Sequence, residues 1–222
     1  MSRTIHALAV SLAVIAAGCS SRGYQTGESA ATAARNTKSS ISSYSERTQA
    51  VLGSMGSLFK EPYQDLPTKY EAFRKDVDTL GISSSNLSSS VTSLKSSVDA
   101  RFKAWDQENA NLTSREVRMH SEERREQVFE SWQQAQAPLE AGVARTKALA
   151  TQFDDLKKLL ANDLTPKGVE SASGLADKAR SEAEKIVDAS KSWMEKLDGA
   201  IEALSTGPTS PPPAPAPAPA SK

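Results

Sequence analysis

Between residues 34 and 204 the apolar side chains recur in alternating steps of three and four, and this spacing constrains the fold more than any other feature of the chain. The first stripe is Ala34, Thr37, Ile41, Tyr44, Thr48, Val51, Met55 and Leu58. The second is Leu66, Tyr70, Phe73, Val77, Leu80, Leu87, Val91, Leu94, Val98, Trp105 and Leu112. The third is Val128, Trp132, Ala135, Leu139, Val143, Leu149, Phe153, Leu156 and Leu160. The fourth is Val169, Ala172, Ala176, Ala179, Ala183, Ile186, Ser190, Trp193, Leu197 and Leu204. Steps of three and four put each set on one face of a helix with a coiled-coil period. No alternating Ile/Val-rich stretch competes with this reading.

The breaks between stripes carry helix-ending chemistry. Pro62 and Pro67 bracket the first, with Glu61 and Asp65 placed near a helix start. At the second, Asn109-Ala110-Asn111 ends one helix and Thr113 with Glu116 forms a capping-box pattern for the next. The rival reading runs one helix unbroken through this point. At the third, Asn162-Asp163 ends a helix, and Thr165-Pro166 supplies a capping hydroxyl followed by a proline suited to a first helical position. Pro138 falls inside the third stripe and is expected to kink it. The serine-heavy run from Ser83 to Ser97 reads as helix, because Leu87, Val91 and Leu94 interrupt it at helical spacing. The predicted helices cover about 30–60, 65–110, 114–162 and 166–205. Short connections favour an elongated antiparallel all-α bundle, or coiled coil, of about four helices. The first and fourth helices, poorer in apolar bulk, are expected to dock loosely or to pair with another molecule.

Outside 30–205 the composition changes. An apolar run from Ala7 to Ala17 follows Arg3 and has the length of a signal-peptide core, too short for a permanent span. It leads into Ile15-Ala16-Ala17-Gly18-Cys19-Ser20, which looks like a bacterial lipobox, with Ala16 where that pattern favours Leu. The resemblance implies a signal peptide over 1–18 and lipidation of Cys19, with acyl chains that hold a membrane far more firmly than one myristoyl chain. Ser20 and Ser21 follow the cysteine in place of the Asp that retains such lipoproteins at the inner membrane. The expected address is therefore the periplasmic face of the outer membrane. Residues 19–29 read as a Ser/Gly-rich flexible tether. Residues 206–222 are Pro/Ala-rich and are expected to be a disordered, extended tail, whose last fifteen residues would reach on the order of 45 Å.

Composition narrows the chemistry. The chain has 27 basic and 27 acidic residues, so no net field draws it to nucleic acid. A single cysteine excludes an internal disulfide, and only His6 and His120 are available as histidines. No Ser/His/Asp constellation, His/Cys metal site or Gly-rich phosphate loop is present. No cofactor, catalytic residue or small-molecule substrate is therefore expected. His120 reads as part of a solvated face, and the adjacent carboxylates Glu122-Glu123 and Asp154-Asp155 diverge around their helix. Trp105, Trp132 and Trp193 fall on the stripes, where core packing outweighs a lipid or peptidoglycan site. Ser84, Arg101, Glu108 and Ser190 interrupt the seams; they either fix register or lie at the seam's margin.

The segment Trp105-x-x-Glu108-x-x-x-Leu112-x-Ser114-x-x-Val117-Arg118-x-x-Ser121 resembles the signature of an uncharacterised family of proteobacterial lipoproteins with a domain of unknown function. The step Pro138-Leu139 and the helix end from Asp155 to Asn162 resemble further parts of it. The resemblance spans about residues 60–204 and implies a helical, coiled-coil protein with no assigned activity. Lys222, an amine at the end of an extended tail, resembles the residue through which a small outer-membrane lipoprotein is joined to peptidoglycan. The sequence thus points to a non-catalytic, lipid-anchored structural or interaction module, contacting the membrane through Cys19 and a protein partner, or itself, through its helices. The alternatives are a lipid- or client-binding chaperone-like module and a peptidoglycan-linked tether or regulator of a peptidoglycan enzyme.

Overall fold

The computed structural model describes residues 22–205, which form four helices and no strand: α1 (Arg22–Leu58), α2 (Leu66–Ala110), α3 (Arg115–Asn162) and α4 (Pro166–Ser205). Each helix packs against two neighbours in the closed order α1, α2, α3, α4. Contacts between helices fix the directions. Gly27 abuts Arg101, Phe73 meets Phe153, Arg124 reaches Ala203, and Arg35 meets Ser205. Residues early in one helix thus face residues late in the next, so every neighbouring pair is antiparallel. The 45 residues of α2 make a rod about 68 Å long at 1.5 Å per residue.

The ends of the helices follow from local chemistry. The Ser114 hydroxyl accepts from the Val117 N–H at the start of α3. It does the work expected of Thr113 and Glu116, because α3 begins one residue later than the capping-box pattern places it. Arg118 donates to the Leu112 carbonyl across the same turn, and α2 and α3 are separate helices. The Thr165 hydroxyl accepts from the Gly168 N–H at 3.1 Å, and Pro166 opens α4. Asp65 precedes α2 in a left-handed conformation, φ 53°, which Asp tolerates better than most residues. α3 runs through Pro138 without ending.

The core is the inward face of all four stripes. Every member of the first stripe is buried, as are all members of the fourth. The third shifts at one place. Gly142 and Thr146 lie inside while Val143 is half-buried. A Cβ on Gly142 would stand 2.8–2.9 Å from the Trp193 ring, so the indole occupies the space the glycine leaves. Tyr44 crosses the core from α1, and its hydroxyl donates to the Thr146 carbonyl at 3.1 Å; burial pushes its phenol above the usual value. Serines and threonines inside helices donate back to carbonyls four residues earlier, as Thr92 does to Ser88, so the serine-rich run keeps its helix. Ser90 is close enough to α1 for Thr37 and Ser40 to bond to it.

Two expectations are corrected. The stretch read as tether is helical from Arg22, because Ala30, Ala31 and Ala34 bury fully and Gly27 lets α1 approach α4 closely. A Cβ on Gly27 would lie 3.2 Å from the Leu204 carbonyl oxygen. The outer helices also dock fully. α1 and α4 contribute as continuous a core face as α2 and α3, their small residues replacing bulk with close approach.

Candidate functional site: the polar end of the bundle

The end of the rod that holds the start of α1, the α2–α3 turn and the end of α4 differs from the rest. Arg101 sits on the seam of α2 and is only 4% exposed. Its guanidinium lies over the Trp105 ring, 4.1 Å from the centroid, a cation–π arrangement strengthened by desolvation. Burial lowers the Arg101 pKa; the Glu108 carboxylate opposes that shift and Arg124 adds to it. The guanidinium stays charged regardless. The Trp105 indole N–H donates to the Ser121 hydroxyl at 2.8 Å, and that hydroxyl donates to the Asn109 side-chain oxygen at 2.5 Å. Arg124 reaches across to the Ala203 carbonyl of α4 at 3.2 Å. Gly27 of α1 closes the layer against the Arg101 side chain.

A second shelf lies beside it on the α2–α3 face. Phe102 and Phe129 meet edge to face at 5.4 Å, Arg125 covers Phe102, and Arg125 pairs with Asp106 at 2.6 Å. The contacts of Trp105 with Ser121, of Arg124 with Ala203 and of Arg125 with Asp106 run between helices, whereas Arg101 stacks on Trp105 of its own helix.

The structure separates the remaining candidates. Trp105, Trp132 and Trp193 are all buried in the core, on α2, α3 and α4. His120 is exposed and pairs with Glu123 at 3.4 Å. Asp154 is engaged by Lys157 and Lys158, whose ammonium groups hold its carboxyl below the usual range. Ser84, Arg101 and Ser190 are buried, whereas Glu108 is half-buried. Cys19 and Lys222 lie outside the described residues, as do residues 1–18, read as a signal peptide, and residues 206–222, read as a tail. A shallow groove of about 600 Å³ opens between α3 and α4, lined by Leu156, Leu159 and Leu175 and rimmed by Arg145 and Glu182. Among the described residues no set of three His, Cys, Asp or Glu side chains is grouped to hold a metal, and no helix is long and apolar enough to cross a membrane.

Of the polar layer, the sequence marked Arg101 and Glu108 as seam interruptions and placed Trp105, Glu108 and Ser121 in the family signature. It read Asn109 only as part of a helix end and did not single out Arg124. The available signal was local: Asn109 lies one helical step of four beyond Trp105.

Fold and site define an antiparallel four-helix bundle closed at one end by a buried arginine–tryptophan layer. The chain belongs to the family described as a protein of unknown function (DUF2959), which matches residues 21–204. No curated protein and no solved structure matches the chain.

Proposed function

We propose that the protein is a lipid-anchored, non-catalytic structural or interaction module on the periplasmic face of the outer membrane of a bacterial envelope. The observation that carries this reading is the position of Cys19. It follows an apolar run and small residues, and it stands three residues before Arg22, where the rigid bundle begins. A rod so close to its anchor is held at the membrane without a long tether. The four stripes pack on one another within the chain, so contact with a partner falls to the outer faces, where Ile82, Leu159 and Leu175 are exposed.

The test is chemical. Intact mass of the protein extracted from membranes should correspond to a chain starting at Cys19 with acyl groups added. Cys19→Ser should move the protein from the membrane fraction to the soluble fraction. A native protein retaining residues 1–18, or one with an unmodified thiol that fractionates as soluble, would overturn the reading.

A further inference from the structure

α3 begins without a core. Residues 115 to 120 are all exposed, and the first fully buried residue of α3 is Val128. Within that uncovered start stand Val117, 52% exposed, and Met119, 50% exposed. Two residues apart on a helix, they point to different sides, so they crown the end of the rod instead of extending one of its faces. Tyr24, half-exposed at the start of α1, stands at the same end. Arg115 and Arg118 flank Val117, with Glu116 the one acid between them; Glu122 and Glu123 lie a turn further up.

The level of this tip follows from the packing. Gly27 abuts Arg101. From that level α1 runs five residues back to Arg22, whereas α2 runs nine residues on to Ala110. The α2–α3 turn therefore overhangs the start of α1 by four residues, about 6 Å at 1.5 Å per residue. The three residues from Cys19 to Arg22 span at most about 10 Å. An acylated Cys19 has its sulfur at the lipid interface, so the tip and the interface come to the same height within a few ångströms.

We infer that the α2–α3 turn is a membrane-contacting tip that seats Val117 and Met119 in the interfacial region of the bilayer to which Cys19 is anchored, with Arg115 and Arg118 meeting lipid phosphates. The occupant of this uncovered end is a lipid surface. The tip is too short and too charged to span, and it meets the interfacial region end-on without crossing it. Seated there, it supplies a second contact beside the anchor and limits the tilt of the rod. This inference rests on the lipidation reading above.

Acylation consumes the one native cysteine, so a single new thiol reports alone. Acylated full-length Val117→Cys, labelled with an environment-sensitive nitrobenzoxadiazole dye, is reconstituted into vesicles of 3:1 phosphatidylethanolamine and phosphatidylglycerol, a composition set by the experimenter. Met119→Cys serves as a second tip position, and Ile82→Cys and Leu175→Cys report on the shaft. The tip dyes should shift to the blue on reconstitution and be quenched by lipids spin-labelled near the glycerol, while the shaft dyes stay in water. Acylated protein that floats with vesicles but leaves the tip dyes in water would overturn the inference and leave the anchor standing. A blue shift that grows with protein concentration in the absence of vesicles would assign the tip to a second copy, also overturning it. Protein that is never acylated would remove the anchor and the inference together.

Discussion

At the scale of the residue, the bundle is governed by where side chains are missing as much as by where they are large. Gly142 and Trp193 form one packing unit across α3 and α4, and an added methyl would meet the indole ring below 3 Å. Gly142→Ala should cost about 1–3 kcal/mol through overpacking, even though alanine favours helix. Gly174 has nothing within 4 Å of an added Cβ. Gly174→Ala should therefore gain roughly 0.5–1 kcal/mol from helix propensity alone. Thermal or urea denaturation of the two variants checks the pair: opposite signs are expected, and equal gains would show that the indole does not fill the Gly142 gap.

At the scale of the element, α3 carries a proline in its interior and continues through it. Pro138 removes the donor that would pair with the Gln134 carbonyl, and Gln134 is on the exposed side of the helix, open to solvent. Pro138→Ala restores that bond, and stability should rise by roughly 1 kcal/mol, read as an increased midpoint in urea; a loss would mean that neighbouring helices are shaped around a proline bend. The stripes, the four helices and their ends other than the start of α1 were legible in the sequence because step spacing and capping chemistry are local. Gly142 was not, since glycine gives no hydrophobic signal and the ring that needs its space lies on another helix. The helical start of α1 was hidden for the same reason. Its Ser/Gly content argues for a tether, and only burial of Ala30 and Ala31 against the other helices outweighs that. Arg101 could be marked as a break in the seam, but Ser121, Arg124 and Ala203 come to its layer from two other helices, and no local pattern announces that meeting.

At the scale of the whole molecule, an up-down-up-down bundle brings Arg22 and Ser205 to the same end of a rod about 68 Å long. The proposed anchor, the overhanging α2–α3 tip and the polar layer gather there, and the connections at residues 59–65 and 163–165 lie at the far end. On the proposed reading, such an arrangement would hold the shaft, with its exposed Ile82, Leu159 and Leu175, out from the lipid surface, within reach of a partner. The lipid anchor and the seated tip together require the rod to stand on its end. Neutron reflectometry of the acylated protein on a supported bilayer measures this directly. A protein layer about 70 Å thick is predicted, the length of α2 at 1.5 Å per residue. A layer about 25 Å thick, two helix diameters, would mean that the rod lies on its side, and no layer surviving a salt wash would mean that it is not anchored at all.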